Sequence, residues 1–309
     1  MTVSRNKQLA TEPAAAVATV PVKEKRESVW KDVFAGIVSN KAALVSGVFI
    51  LLLAAVAVVT KLFPQVLPYD PYAQNLSESL QGPSSAHWFG TDMQGRDIFS
   101  RVLVGTQITL TVGLAAVAIS LTIGVILGAV AGYKGGKWDT VIMRVMDMML
   151  AIPSILLAIA IMAALGPGIE KAVVAIGLVS IPEYARIVRS EILSIKENDY
   201  VAAARVVGDS NAAIIFRHVL PNVLPSIIVR ATLGISTAIL DAAALGFLGL
   251  GVQPPAAEWG DMLGRGRNEL FRAPWLMIFP GLAITLTVLA FNLLGDGIRD
   301  GLDPKARKR

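Results

Sequence analysis

Long apolar runs, separated by short polar segments, recur along almost the whole chain after residue 40. A helix needs about 20 apolar residues to cross the roughly 30 Å hydrocarbon layer of a bilayer. By this measure the pattern predicts six membrane-spanning helices, of which the fourth is weak because its apolar run is short and contains Pro182. The six predicted spans are residues 42–60, 108–131, 141–165, 172–185, 224–247 and 275–294.

Positive charges flank these spans unevenly. If both termini lie inside, the inside segments carry 20 of the 28 lysines and arginines, the outside segments carry seven, and Arg230 lies within a span. Cytoplasmic loops are enriched in Lys and Arg, so this asymmetry supports the weak fourth span and predicts cytoplasmic termini. Only 17% of the residues are charged and 54% are hydrophobic, which is typical of a membrane protein. We predict an all-α integral membrane protein.

Residues 1–28 contain the low-complexity stretch EPAAAVATVPVKEKRE, which predicts a disordered tail. The competing interpretation is a cleavable signal peptide, because residues 55–57 read Ala-Val-Ala. A polar lead-in of about 40 residues and five later spans argue against it.

An apolar stripe at helical spacing lies between this tail and the first span. It predicts a short helix on the surface of the inner leaflet, and the pattern favours an anchor over a binding site. Its members are Trp30, Val33, Phe34, Ile37 and Val38.

The predicted outer loop, residues 62–105, contains four prolines and is so long that it should be either ordered and functional or disordered. Asp92 and Arg96 are spaced for an ion pair across one helical turn, and Ile98, Val102 and Leu103 form an apolar stripe. We therefore expect the second half of this loop to be ordered.

The chain offers little for catalysis. It has no cysteine and only two histidines, His87 and His218, so we predict no metal site and no catalytic residue. The stretch GYKGGKWD approaches a phosphate-binding loop, but Ala131 replaces the first glycine and Trp138 the Ser or Thr. We expect no bound ATP and no cofactor on this chain. A membrane-embedded enzyme is disfavoured.

Charged residues within the spans are costly and so mark candidate functional positions. Arg230 lies about two turns inside span five and is predicted to snorkel or to make a buried polar contact. Asp241 lies deeper and is the best candidate for a conduit residue or a buried polar contact. A single deep acid argues against an ion-coupled secondary transporter, which remains the alternative from a different class. Two local pairs near the inner interface are predicted to pair or snorkel: Arg144 with Asp147, and Glu183 with Arg186.

Gly124, Gly128 and Gly132 form one face of span two. Small residues at this spacing let helices approach closely, so we predict a packing face there.

Residues 198–222, NDYVAAARVVGDSNAAIIFRHVLPN, form a polar, alanine-rich interruption between spans four and five. Asn198 or Asp199 can cap a helix that starts at Tyr200, and Gly208 can end it. Ser210 can cap a second helix over residues 211–220, which Pro221 would break before span five. The residues leave two interpretations open: a helix that docks in the groove of another protein, or a helical linker.

The segment resembles a known family loop. AAARVVG followed by HVLP is similar to the conserved loop of permease subunits from binding-protein-dependent ABC importers, in which this loop docks on the ATPase. The family has a Glu where Ala202 stands, which argues against a salt bridge from that position. Ala203, Ala204, Gly208, Leu220 and Pro221 match the family pattern. The resemblance implies ATPase coupling by Tyr200, Ala203, Ala204, Arg205, Gly208, Asp209 and Pro221.

Three further stretches narrow the resemblance to C-type subunits of dipeptide and oligopeptide permeases. They are HWFGTDMQGRDIFSRVLVG, RVMDMMLAIPSILLAI and ALGFLGLGVQPPAAEWGDML. The implied fold is that of a type I ABC importer permease. Its expected parts are a tail 1–28, a segment 29–105 with interfacial helix, first span and outer loop, a core 106–295 with coupling loop 196–222, and a basic tail 296–309.

The resemblance also implies partners and a location. We expect a homologous second permease subunit, one fused or two separate ATPase subunits that bind ATP and Mg²⁺, and an extracytoplasmic substrate-binding protein. The location is the bacterial cytoplasmic membrane, with no nucleic acid partner. Peptides are the expected substrate, while nickel, glutathione or another small solute is the alternative. Glu258 and Trp259 are candidates for contact with the binding protein or the conduit mouth.

Overall fold

The computed structural model describes residues 29–302, and every regular element in that range is helical apart from one isolated bridge between Thr91 and Asp97. The predicted disordered tail 1–28 and residues 303–309 of the predicted basic tail lie outside the described range. The α-helices are α1 Val29–Ser39, α2 Lys41–Leu62, α3 Ile98–Lys134, α4 Gly136–Leu150, α5 Ser154–Leu165, α6 Ile169–Ile195, α7 Asp199–Val207, α8 Asn211–Ala213, α9 Leu220–Phe247, α10 Trp259–Gly266 and α11 Trp275–Leu302.

Four continuous helices of the described range are long and apolar enough to cross a membrane: Lys41–Leu62, Ile98–Lys134, Asn211–Phe247 and Trp275–Leu302. They correspond to the first, second, fifth and sixth predicted spans. A fifth crossing exists if α4 and α5 count together, although they meet at an angle of 92°. The weak fourth span lies in α6, which is 27 residues long but carries several charges and is not among these helices. The count of six stays a prediction.

The predicted span over residues 141–165 is not one continuous helix. The helix stops at Leu150 and restarts at Ser154 after a sharp bend. Pro153 explains the break, because it has no backbone N–H to donate and because its ring keeps Ile152 out of helical geometry.

Helices α3 and α6 pack along the predicted glycine face, which confirms that prediction. A side-chain carbon added at Gly124 would lie 2.5 Å from the Cβ of Tyr184, and one added at Gly128 would lie 2.5 Å from the carbonyl oxygen of Ala185. No other pair of described helices shares a longer contact. Backbone contact of this kind joins the two helices into one unit.

The short helix α1 lies across the end of α11. Gly36 touches the backbone at Gly301 so closely that any side chain would overlap it, and Val33 is buried beside it. Trp30 and Phe34 point away from the protein and are exposed. The predicted helix therefore exists and has two faces, one packed on α11 and one apolar and free for a membrane surface.

The predicted outer loop between α2 and α3 is ordered, which confirms the prediction for its second half. Arg96 donates to Asp92 at 2.6 Å, which confirms the predicted pair. Arg101 reaches further: its guanidinium donates to the carbonyl oxygen of Pro71 at 2.8 Å and to those of Pro255 and Ala256 at 3.4 Å. One buried cation thus joins the loop before α3 to the segment before α10.

Candidate functional site

The predicted coupling helix is α7, and its C-terminal end is built as the sequence indicates. Gly208 adopts the left-handed conformation with φ 94° and ψ 17°, and its N–H donates to the carbonyl of Arg205 at 3.1 Å. The N–H of Asp209 donates to the carbonyl of Ala204, also at 3.1 Å. This pattern satisfies the last carbonyl groups of the helix. At the other end Asn198 takes the N-cap position, but its side chain accepts no hydrogen bond.

The two faces of α7 differ sharply. Val201 and Ala204 are buried against the ends of α6 and α9, so Ala204 supports the helix from inside and does not face a partner. The opposite face is apolar and exposed, with Val206 88% and Val207 83% exposed. Phe216, beyond the turn, is 70% exposed. We call Ala203, Val206, Val207 and Phe216 the α7 surface. An exposed apolar patch of this kind marks an interaction site.

The sequence reasoning singled out the alanines and missed the valines and Phe216. The spacing of these residues could have revealed the exposed face. Ala203, Val206 and Val207 fall at i, i+3 and i+4, so they share one face of a helix.

Polar contacts fix the loop to the helices on either side of it. The Tyr133 hydroxyl at the end of α3 donates to Asn211 at 2.7 Å, and the guanidinium of Arg205 lies 5.8 Å from the centre of the Tyr133 ring. The Asn222 side chain donates to the Tyr200 hydroxyl at 3.2 Å. The loop is thus attached to α3 and α9 through side chains that no local pattern could have revealed.

The turn after Gly208 is closed by a second polar contact. His218 Nε2 and Asp209 Oδ2 are 3.1 Å apart, which places the predicted coupling residue Asp209 against the following helix. Ser210 caps that helix as predicted, since its hydroxyl accepts from the N–H of Ala213 at 3.2 Å.

The prediction that Pro221 breaks the chain before span five is wrong. Residues Ile214–Val219 form a π-helical stretch, and the helix continues through Pro221 into α9 without interruption. A π turn pairs each N–H one residue further back than an α turn does, and this wider geometry tolerates a proline that has no N–H. The loop and span five therefore form one continuous rod, Asn211–Phe247.

The charged positions inside the spans pair between helices and not within them. Arg230 on α9 forms an ion pair with Glu183 on α6. The predicted pair of Glu183 with Arg186 is therefore not formed. Arg186 instead pairs with Asp147 of α4 at 2.5 Å. The expected pair of Asp147 with Arg144 is accordingly replaced by this contact.

Asp241 lies apart from Arg230 on the same helix. The two are about 16 Å apart along the axis at 1.5 Å per residue. Asp241 is partly buried and forms no ion pair with another residue between 29 and 302. It remains a candidate conduit residue, whereas Arg230 makes the predicted polar contact.

Glu258 and Trp259 are 2% and 1% exposed, so neither presents a surface to a binding protein in this structure. The Trp259 indole donates to the carbonyl oxygen of Val102 at 3.0 Å. Glu258 caps α10 by accepting from the N–H groups of Gly260 and Asp261, each at 2.8 Å. Their burial contradicts the predicted contact with a binding protein, whereas the alternative contact with the conduit mouth stays a prediction.

Burial also changes the chemistry of Glu258. It raises the pKa of the carboxyl from 4.5 to about 7; the two N–H donors act in the opposite direction, and the neighbouring Asp261 adds to the increase. The carboxyl is thus a titratable group near neutral pH.

Within residues 29–302, no cluster of three His, Cys, Asp or Glu side chains is arranged to hold a metal ion.

Comparisons with known proteins agree with this geometry. Residues 124–308 match the family described as "Binding-protein-dependent transport system inner membrane component". Residues 28–83 match the family described as "N-terminal TM domain of oligopeptide transport permease C".

Several curated relatives align over most of their length. A dipeptide transport system permease protein, DppC, of Alkalihalophilus pseudofirmus is 50% identical over 91% of both chains. A probable D,D-dipeptide transport system permease protein, DdpC, of Escherichia coli strain K12 is 52% identical over 79% of this chain and 82% of that one. A glutathione transport system permease protein, GsiD, of Pectobacterium atrosepticum is 46% identical over 95% and 97%.

A solved structure shares the fold. A chain of the MetNI methionine ABC transporter in an inward-facing conformation matches with a TM-score of 0.56 at 20% identity, over 67% of this chain and 98% of that chain. At 20% identity this match shows a shared fold and no more.

Proposed function

The chain belongs to the family of inner membrane components of binding-protein-dependent transport systems, and on that premise we propose that it forms half of the conduit of an ATP-driven peptide importer. It is a permease subunit of an ABC importer. The proposed arrangement is a type I importer permease with six spans and both termini in the cytoplasm of a bacterial cell. The charge bias along the sequence supports this orientation.

The α7 surface is the observation that carries the proposed coupling. Val206, Val207 and Phe216 are apolar, exposed and held on a loop that is attached to two long helices. Burying such a surface in a groove of an ATPase subunit would remove apolar area from water, which is favourable. Tyr200, Arg205 and Asp209 orient the loop through contacts within the chain.

The path from this surface to the membrane is short. A push on α7 reaches the helix 211–247 through the packing of Val201 and Ala204 against the start of that helix. It reaches α3 through the contact of Arg205 with the Tyr133 ring. When ATP and Mg²⁺ close the pair of ATPase subunits, we expect these helices to rock between inward-facing and outward-facing arrangements. Such a stroke needs two states with different affinity for the ATPase and the substrate.

The proposed partners follow from this mechanism. A homologous second permease completes the conduit, one fused or two separate ATPase subunits hydrolyse ATP, and an extracytoplasmic binding protein delivers the substrate. The chain itself is not catalytic. No nucleic acid takes part.

Di- and oligopeptides are the proposed substrates, because two relatives at 50% and 52% identity are named for dipeptide transport. Glutathione is the second candidate, since a relative at 46% identity is named for it and glutathione is itself a short peptide. Asp241 is the proposed conduit residue, where a carboxylate would meet the amino group of a peptide.

A pull-down tests the coupling. The tagged chain is purified from gently solubilised membranes, the eluate is identified by mass spectrometry, and its ATPase activity is measured. We expect an ATPase subunit with the wild type, much less of it with Val206→Asp, and a normal amount with the control Val66→Asp, which places the same charge on an exposed outer valine. A wild-type eluate that contains this chain alone and transports peptide in vesicles without ATP would establish an ion-coupled carrier instead.

A further inference from the structure

A cavity of about 430 Å³ opens between α6, α9 and α11. Two arginines, Arg230 and Arg299, line it together with an apolar wall. The apolar side chains include Ile187, Val229, Leu233 and Leu302. A cavity with cationic groups and a long apolar wall has the chemistry of a phospholipid site, in which a phosphate meets the cations and an acyl chain lies along the wall.

Of the two arginines that line the cavity, only Arg230 has a partner carboxylate among the described residues. Glu183 pairs with Arg230, and Glu191 accepts a hydrogen bond from Ser226 at 2.8 Å. Arg299 forms no ion pair with a described carboxylate. An anion in the cavity would therefore meet one uncompensated guanidinium.

Arg230 also has an unused donor. Its Nε atom is buried and makes no hydrogen bond with any residue between 29 and 302, although its terminal nitrogen pairs with Glu183. A buried donor without an acceptor is costly. The Nε atom itself is shielded from the cavity, so an anion there would meet the exposed part of the Arg230 guanidinium. The two arginines together thus present donors to an oxyanion.

The position of α11 places this cavity at the membrane surface. Gly297 and Gly301 are one turn apart and face α1, which exposes Trp30 and Phe34 as an interfacial helix does. Arg299 and Leu302 lie on the other side of the same turn and line the cavity. Arg299 therefore lies near the level of the headgroups, Arg230 and Val229 lie at one level on α9, and Leu233 lies almost one helical turn deeper, toward the hydrocarbon.

We propose that this cavity binds the headgroup of an anionic phospholipid from the leaflet at the α1 end of the protein, with an acyl chain against α9. On the topology proposed above this is the inner leaflet. A bound lipid would stabilise the junction of α6, α9 and α11, because it binds the folded chain and not the unfolded one.

The test uses the full chain, with any partners that purify with it, in phosphatidylcholine nanodiscs with or without phosphatidylglycerol. Thermal unfolding gives the stabilisation, and native mass spectrometry gives the retained lipid. We expect phosphatidylglycerol to raise Tm for the wild type, to have little effect on Arg299→Gln, and to act on Arg299→Lys largely as on the wild type. The control Arg267→Gln removes the same charge from an exposed outer position and should respond like the wild type.

Equal phosphatidylglycerol responses of Arg299→Gln and the wild type would overturn the proposal. So would a result in which a short peptide with a free carboxylate, and not the lipid, gives the Arg299-dependent stabilisation, because the cavity would then belong to the conduit. If Arg299→Gln fails to insert, Val229→Phe narrows the apolar wall without removing either arginine. Unchanged lipid retention in Val229→Phe would then contradict the proposal.

Discussion

Gly124 on α3 and Tyr184 on α6 are so close that a side-chain carbon on the glycine would lie 2.5 Å from the Cβ of the tyrosine. Gly124→Ala should therefore destabilise the folded chain by about 1–3 kcal/mol, because neither backbone can move apart without losing the packing of the whole face. Thermal unfolding in detergent measures this. Gly47→Ala is the matched control, since its added carbon meets only Leu294 at 3.6 Å, an ordinary contact. Equal stability of the two variants would contradict the packing argument.

Gly208→Val should uncouple transport from ATP hydrolysis while the spans still insert. A β-branched residue is strained at a φ of 94°, by about 1–2 kcal/mol, so the turn after α7 should open and the α7 surface should move. Peptide uptake and ATPase rate in proteoliposomes are the measurements. Gly208→Asn should keep more activity, because Asn tolerates this conformation.

A glycine in another turn provides the control for that experiment. Gly135, between α3 and α4, also has a positive φ of 64° and open space around its Cα. Gly135→Val should cost at least as much strain, because φ 64° with ψ −159° is essentially restricted to glycine, and should leave coupling intact. Uptake at the wild-type rate by Gly208→Val would contradict the assignment of α7 as the coupling helix.

The ion pair of Arg230 and Glu183 should show energetic coupling between α6 and α9. In a double-mutant cycle with Glu183→Gln and Arg230→Gln, we expect a coupling of about 1 kcal/mol, since both side chains are only partly buried. The more exposed pair Arg186 and Asp147 should give less, about 0.5 kcal/mol. Strictly additive effects of the first two substitutions would show that the pair contributes nothing.

Stability should depend on pH through Glu258. Burial raises the pKa of its carboxyl from 4.5 to about 7, so the folded chain holds this proton more tightly than the unfolded chain. The resulting stability is fully present below about pH 4.5 and is lost as pH rises through about 7, at about 1.36 kcal/mol per unit between these values. Thermal unfolding of the wild type and of Glu258→Gln across this range is the measurement. The glutamine variant should lose most of the slope, and an identical profile would exclude Glu258 as its source.

The sequence predicted those features whose causes lie within a few residues. Gly208 and Ser210 act on the ends of adjacent helices, and Asp92 and Arg96 are one turn apart, so each could be inferred from local spacing. The glycine face of α3 was predictable for the same reason.

The remaining features depend on which helices meet in space. Arg230 pairs with Glu183 on another helix, and nothing local distinguishes that partner from Arg186. Pro221 was expected to break the helix, but the choice between a break and a π turn depends on the packing of the whole segment. The buried state of Glu258 follows from its contact with the end of α9, which the sequence alone does not reveal.

Arg101 has a consequence for how the protein is made. Arg101 is synthesised in the first third of the chain. Two of the carbonyl groups that accept from its guanidinium belong to Pro255 and Ala256, which are synthesised some 150 residues later. At about 5–20 residues per second, the cation waits for many seconds without these acceptors. The contacts of Arg101 with Pro255 and Ala256 therefore form only after these residues have been synthesised. A chain truncated before residue 255 keeps only the carbonyl of Pro71 among these three acceptors. Folding around Arg101 is thus completed by residues from the last third of the chain, although Arg101 itself belongs to the first third.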